Sequence, residues 1–145
     1  MKHQLCLLVA ALLAATAAAA EDFDGSQTMI CQPFQGHDCL PTEISCKPLK
    51  AEKGRDIDLA IDVANRTVKS PYRTALLPIQ NVTNNTKSLL LQGTTLEIVW
   101  SAAIQRATGR LTIAIADREG AYVVFAQCKL ADAHQPSVPA GRTAN

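Results

Sequence analysis

Three groups of residues have types that could carry chemistry: an adjacent His and Asp, three nearby carboxylates, and four cysteines. His37 stands beside Asp38, and a His and an Asp in contact can act as general acid and base. No nucleophile is placed to use this pair, so we interpret both as solvated loop residues. The sequence has no G-x-S-x-G, no H-E-x-x-H and no phosphate-binding loop. We therefore predict no catalytic residue and a protein that is not an enzyme.

The three carboxylates, Asp56, Asp58 and Asp62, lie on one face of the clearest strand pattern in the chain, residues 56–63. Carboxylates bind Ca²⁺, which takes about six to eight oxygen ligands. Successive residues on one strand face stand about 7 Å apart, too far for all three to share one ion without other donors. We favour a solvated face and predict no metal site and no cofactor. The opposite, core face consists of Ile57, Leu59, Ile61 and Val63.

The first twenty residues have the layout of a secretory signal peptide. Lys2 and His3 precede an apolar run that ends in three alanines, 18–20. We predict that residues 1–20 are removed and that the mature chain begins at Glu21, in the periplasm or outside the cell. The alternative, an uncleaved anchor, is disfavoured because a membrane span needs about 20 apolar residues.

The mature chain contains four cysteines: Cys31, Cys39, Cys46 and Cys128. An even number in an exported chain predicts two disulfides, for which three pairings are possible. We favour Cys31–Cys39, which closes a short loop, together with Cys46–Cys128, which joins the first core strand to the last. A metal site is disfavoured because the spacings match no zinc pattern.

Composition limits the partners. Without Lys2 the mature chain has as many basic as acidic residues, and no basic run occurs. A nucleic-acid partner held by bulk charge would need a basic surplus, so none is predicted. About 125 residues suit one domain. The unknown partner is then a protein, a glycan or a small ligand, and the mature chain has no predicted membrane span.

Many of the apolar residues of the mature chain lie between Thr94 and Leu130, where apolar and polar residues alternate as in three strands. Gly109 and Gly120 stand in the two interruptions, where a short hairpin loop needs a positive φ. The first run also has helical features, since Thr94 and Glu97 have capping-box spacing. We favour the strand and keep a helix over Thr94–Thr108 as the alternative. The predicted inward face of this run is Leu96, Ile98, Trp100, Ala102 and Ile104.

The predicted organisation is a signal peptide (1–20), a cysteine-pinned segment (21–43), a β-domain (44–131) and a disordered tail (132–145). Residues 30–47 contain two prolines and should form no long regular element, and the polar stretch before them should be loosely held. Pro78 should interrupt its strand or place it at an edge. The fold class is all-β, a small antiparallel meander barrel or sandwich of about seven to eight strands with two disulfides. The α+β class, with a helix over Thr94–Thr108, stays open.

Three N-x-[ST] sequons occur, at Asn65, Asn81 and Asn84. In a eukaryotic secreted protein they would be candidate glycosylation sites; in a bacterium they would carry no such meaning. The Ala-rich signal peptide favours a bacterial exported protein.

Three short motifs resemble those of a group of small exported proteobacterial proteins of generally unassigned function. They are residues 44–48 (ISCKP), 104–111 (IQRATGRL) and 128–129 (CK), and the group carries an opening cysteine, an I-x-R-x-T-G-x-L hairpin and a closing cysteine. The resemblance covers about 85 residues and implies a compact exported β-domain. We expect Arg106 and Thr108 to form the turn, with Arg106 bonding carbonyls or a carboxylate.

The predicted architecture is also similar to that of the periplasmic inhibitors of c-type lysozyme, small barrels with a disulfide between early and late strands. Those inhibitors present an S-G-x-x-Y loop, whereas Ser101 here is followed by Ala102, so the inhibitory residues do not carry over. The favoured function is a non-enzymatic binding or envelope-associated module. The alternatives are a lysozyme-inhibitor-like protein and a lipocalin-type carrier, the latter disfavoured because few aromatic residues are available to line a cavity.

Overall fold

A computed structural model describes residues 22–50, 56–71 and 73–131, which form ten β-strands and no helix. The all-β class with two disulfides is confirmed, and the helix over Thr94–Thr108 is wrong. The predicted signal peptide and tail lie outside the described residues. The strands are β1 (Met29–Cys39), β2 (Lys47–Pro48), β3 (Leu59–Asp62), β4 (Thr67–Lys69), β5 (Leu77–Pro78), β6 (Asn81–Asn84), β7 (Ser88–Thr94), β8 (Val99–Gln105), β9 (Arg110–Ala116) and β10 (Ala121–Leu130).

All ten strands belong to one antiparallel sheet with the order β5-β4-β3-β1-β10-β9-β8-β7-β6, and β2 pairs with β1 beside this path. The two ends of the order, β5 and β6, are consecutive parts of one stretch, Leu77–Asn84. This stretch pairs first with β4 and then with β7, and between the two the N–H of Gln80 donates to the carbonyl of Gln92 at 2.8 Å. The sheet is therefore curled like part of a barrel, and residues 79 and 80 connect its two end strands.

The core fills the inside of the curled sheet because each long strand turns alternate side chains inward. In β8, for example, Trp100, Ala102 and Ile104 are buried while the residues between them are exposed. No charged side chain is buried among the described residues. The side chains most completely removed from solvent are Met29, Cys31, Ile61, Val68, Ile79, Leu89, Leu91, Ile104, Leu111 and Cys128.

The turn between β7 and β8 explains the false helix signal. The hydroxyl of Thr95 accepts hydrogen bonds from the N–H groups of Glu97 and Ile98, as a helix N-cap would. The N–H of Thr95, however, donates to the carbonyl of Ile98 at 2.8 Å, so the chain reverses into a hairpin. Leu96 lies at the tip and is fully exposed, so its predicted inward position is wrong.

The two predicted hairpin turns are both present. Gly109, between β8 and β9, has the predicted positive φ of 67°. Gly120, between β9 and β10, does not have a positive φ, contrary to prediction. That turn is held by the carboxylate of Asp117, which accepts from the N–H groups of Glu119 and Gly120. Gly120 is needed for space, since a Cβ there would lie 2.7 Å from the carbonyl oxygen of Cys39.

The cysteine-pinned segment contains the longest strand of the sheet, so the prediction that residues 30–47 form no long regular element is wrong. β1 runs from Met29 to Cys39 and pairs with β10 on one side and with β3 and β2 on the other. A bulge between Pro33 and Gln35 accommodates the proline, which has no N–H for the ladder. The domain therefore begins before residue 44.

The stretch ahead of β1 is firmly attached, contrary to prediction. Phe23 is 3% exposed, and its N–H donates to the carbonyl of Arg106 at 3.1 Å. The ring lies against Gly109, where an added Cβ would be 2.6 Å from the Cζ of Phe23. Phe23 therefore covers the end of the curled sheet at which the β8–β9 turn lies.

The disulfides are Cys31–Cys128 and Cys39–Cys46, so the favoured pairing of Cys31 with Cys39 and of Cys46 with Cys128 is wrong. Cys31 stands directly opposite Cys128 in the register of β1 and β10, with both side chains inside. Cys39 ends β1 and closes a short loop with Cys46. The predicted bridge between early and late strands exists, but its early cysteine belongs to β1, which precedes the predicted start of the β-domain at residue 44.

Candidate functional site

A cleft of about 660 Å³ opens at one end of the curled sheet. It lies at the end that carries the β7–β8 and β9–β10 turns, opposite Phe23. Its inner wall consists of inward-facing residues near these turns: Ile98, Ile113, Ile115 and Val124. Its volume falls within the range of about 300–1,000 Å³ typical of small-molecule sites.

The cleft exists because β1 loses its neighbour on one side. Residues 29–31 of β1 pair with β3 and residues 37 and 38 pair with β2, but from residue 32 to residue 35 β1 pairs with β10 alone. Pro33 and the bulge stand in this gap. Ile57 and Leu59 of the β3 side line the cleft opposite residues 33–36. The cleft therefore lies where β1 and the β3 side of the sheet separate from each other.

A short segment that we call the strap, Lys47–Lys50, forms part of the outer wall. It contains β2, and the N–H of Leu49 donates to the carbonyl of Gly36 at 2.9 Å. An added Cβ at Gly36 would lie 3.0 Å from Cδ1 of Leu49, so the glycine lets the leucine lie on the backbone of β1. Leu49 and Lys50 both line the cleft.

Polar groups are confined to a few positions around this apolar surface. Arg73 lines the cleft and forms an ion pair with Glu97 at 2.7 Å. Burial, and then the negative charge of Asp117 nearby, raises the pKa of the Tyr122 phenol. The phenol therefore stays protonated at neutral pH and serves as a hydrogen-bonding group. An apolar cavity with a few polar groups at fixed positions suits an apolar or amphipathic ligand.

Two buried polar atoms of the described residues have no hydrogen-bond partner, Oδ1 of Asp38 and Nε1 of Trp100. Asp38 stands opposite Tyr122 in the ladder of β1 and β10 and shares its inward face. The Trp100 indole lies over Gly93, where an added Cβ would be 2.6 Å from Nε1. The position of the indole explains why residue 93, next to the last residue of β7, is a glycine.

The structure does not bring His37 and Asp38 together. Successive residues of a strand point to opposite faces, so Asp38 points inward and His37 outward. Nε2 of His37 lies 2.9 Å from the amide nitrogen of Gln35. The pair belongs to a strand, not to the predicted loop, and its two side chains lie on opposite sides of the sheet.

Asp56, Asp58 and Asp62 do not converge either. Asp62 accepts from the backbone N–H and the side-chain amide of Asn65, which holds the pKa of its carboxyl below the usual value. Asp56 accepts from the N–H of Asp58. Asp62 is also hydrogen-bonded to the side chain of Thr28, ahead of β1, so these bonds serve the local structure and do not bring the three carboxylates together. In the part of the chain that the structure describes, no three His, Cys, Asp or Glu side chains are grouped to hold a metal ion.

Arg106 has the structural role predicted for it. Its guanidinium donates to both oxygens of Asp22, to the side chain of Asn84 at 3.2 Å and to the carbonyl of Asn85 at 3.0 Å. Thr108 donates to Gln105 in the same turn. Arg106 therefore fastens the start of the described chain to two turns at the end opposite the cleft.

The sequons differ in their surroundings. The side-chain amide of Asn65 donates to Asp62, and that of Asn84 donates to the carbonyl of Asp24. Asn81 is exposed at the start of β6. The amides of Asn65 and Asn84 thus hold local structure.

Sequence reasoning missed the cleft. Its walls combine residues from strands far apart in the chain with four that were placed outside the β-domain, residues 33–36. One signal was present in the sequence, the large apolar residue Phe34 in an otherwise largely polar segment, and the structure shows that its ring is 67% exposed. A lone exposed aromatic residue does not locate a site without the fold.

No protein-family model, curated protein or solved structure matches this chain. The described strands and cleft therefore define its class by themselves: a disulfide-bonded, all-β domain with an apolar cleft at one end. Within the described ranges, no helix is long and apolar enough to span a membrane.

Proposed function

We propose that this protein is a non-enzymatic binding module that holds a small apolar or amphipathic ligand in the cleft. The observation that carries the proposal is the lining: an opening of about 660 Å³ whose walls are mainly apolar. Its polar lining residues are Gln35, Lys50, Ser70, Arg73, Asp117 and Tyr122. Of the described residues that line it, none is a His or a Cys, the types that most often supply an acid, a base or a thiol nucleophile. This lining favours the binding of a ligand over its chemical conversion.

The lipocalin-type alternative thereby becomes the favoured form of the binding-module hypothesis. Few aromatic residues were available for a cavity, but the cleft uses aliphatic residues of β3, β9 and β10 instead. We further propose that the module works in the periplasm or outside the cell. The signal-peptide pattern of residues 1–20 supports this, and two disulfides are typical of an oxidising compartment.

The test is a titration of the oxidised protein with N-phenyl-1-naphthylamine, a neutral apolar fluorophore. We expect saturable binding of one molecule per chain. Ile115→Gln places an amide in the inner wall of the cleft and should weaken binding by about tenfold, or about 1.4 kcal/mol. Ala114→Gln is the matched control, because Ala114 precedes it on the exposed face of β9.

Non-saturable fluorescence, or equal affinity of the two variants, would overturn the proposal. Circular dichroism and thermal melting of both variants establish that each is folded before binding is compared.

A further inference from the structure

Within the part of the chain that the structure describes, few hydrogen bonds attach the strap to the sheet. β2 pairs only with β1, through two residues, and the N–H of Leu49 adds one hydrogen bond to Gly36. The ion pair of Lys47 with Glu43 lies within the loop itself and adds no tie to the sheet. So few hydrogen bonds at the surface leave a segment easy to open locally.

One covalent tie supplements these contacts. The Cys39–Cys46 disulfide joins the end of β1 to the residue just before the strap. Cys46 is exposed, whereas Cys31 and Cys128 are 0% and 2% exposed. Since thiol–disulfide exchange requires access of the attacking thiolate to a sulfur, a reductant reaches the two bridges to very different degrees.

We propose that the Cys39–Cys46 disulfide is a redox-sensitive latch for the cleft, an inference that rests on the proposed function. A dithiol reductant attacks the exposed sulfur of Cys46 and forms a mixed disulfide, while Cys39 leaves as a thiolate. The second thiol of the reductant then displaces Cys46, so that the reductant becomes a disulfide and the protein gains two thiols. Leu49 and Lys50 are then free to leave the cleft wall, and the ligand is released.

The experiment compares wild-type protein with Cys39→Ser/Cys46→Ser by two measurements. Hydrogen exchange of the Leu49 amide, followed by NMR, reports on the strap whether or not a ligand binds. Titration with N-phenyl-1-naphthylamine reports on the cleft. We expect the Leu49 amide to exchange at least tenfold faster in the variant while β10 amides stay protected, and Kd to rise at least fivefold.

Two single variants separate the strap from its loop. Leu49→Ser keeps the disulfide and should weaken fluorophore binding as the double variant does. Ile44→Ser changes a fully exposed residue of the same loop that does not line the cleft and should bind as wild type does. In wild-type protein, mild dithiothreitol followed by alkylation should label two cysteines, as counted by intact mass.

The outcomes are distinct for the two proposals. Unchanged exchange of the Leu49 amide, unchanged Kd in the double variant, or simultaneous labelling of all four cysteines would overturn the latch. Absence of fluorophore binding to the wild type would overturn the function of the cleft, and the exchange data would then still decide whether the disulfide holds the strap.

Discussion

The two ends of the curled sheet are built in opposite ways. At one end Phe23 is buried, Arg106 ties two turns to Asp22, and a buried disulfide joins β1 to β10. At the other end the strands part, Phe34 is exposed, and a surface disulfide holds a two-residue strand. The first end stabilises the fold, which allows the second end to leave an apolar surface open.

The largest difference between the ends should come from their disulfides. The chain-entropy model gives about 4.7 kcal/mol for the long loop closed by Cys31–Cys128 and about 2.5 kcal/mol for the short loop closed by Cys39–Cys46. Total stabilities of domains are about 5–15 kcal/mol. We therefore expect Cys31→Ser/Cys128→Ser to be mostly unfolded at 37 °C and Cys39→Ser/Cys46→Ser to remain folded. Urea denaturation of both double variants measures their free energies of unfolding. Equal values would contradict the different contributions of the two disulfides.

The two phenylalanines test the same comparison one side chain at a time. Phe23→Ala removes a ring that is 3% exposed and should cost about 3–5 kcal/mol. Phe34→Ala removes a ring that is 67% exposed and should change stability by no more than about 0.5 kcal/mol. Because Phe34 lines the cleft, its loss should instead weaken fluorophore binding. Urea denaturation and the fluorophore titration together show whether stability and binding reside at separate ends.

The smallest expected changes in stability come from removing a single charge, such as that of Asp22. Hydrogen bonds from Arg106 hold the pKa of the Asp22 carboxyl below its ordinary value of 3.8. A carboxyl whose pKa is lower in the folded state adds stability above its unfolded pKa and loses it as the pH falls through its folded pKa. We expect Asp22→Asn to lower Tm at pH 7 by a small amount and to match wild type at pH 2.

Glu97→Gln is the control for charge at the cleft end. Its partner is Arg73, and its side chain is 70% exposed, so this pair contributes little. Thermal melts should show almost no change in Tm at pH 7. A larger change for Glu97→Gln than for Asp22→Asn would contradict the assignment of the stabilising charges to the Phe23 end.

Local patterns predicted those parts of the fold that depend on local rules. The alternation of β8 to β10 and the positive φ of Gly109 follow from sequence neighbours alone. The strand pairing of Cys31 with Cys128 depends on a register between distant strands, which no local pattern contains. Thr95 shows that a local pattern can also mislead. The hydrogen bonds that its hydroxyl accepts are compatible with the start of a helix and with a hairpin turn.

The candidate site was less predictable than the fold. The titratable residues singled out by type do not form a site: His37 and Asp38 lie on different faces of the sheet, and Asp56 and Asp62 accept hydrogen bonds from different groups. The cleft depends on where β1 loses a neighbour, which is a property of sheet topology. Apolar residues such as Ile113 read as core in the sequence, and only the fold shows that they also line an opening.

The pairing of β1 with β10 fixes the order of events when the chain is made. Cys31 and Cys128 are 97 residues apart, so β1 cannot pair with β10 until nearly the whole domain has been made. Contacts this distant in sequence form slowly. In a chain made from the N-terminus onward, Cys39 becomes available to Cys31 long before Cys128 does. Cys39 is not the native partner of Cys31. Correct oxidation therefore requires either a delay until the last strand arrives or the rearrangement of an early, mispaired bridge.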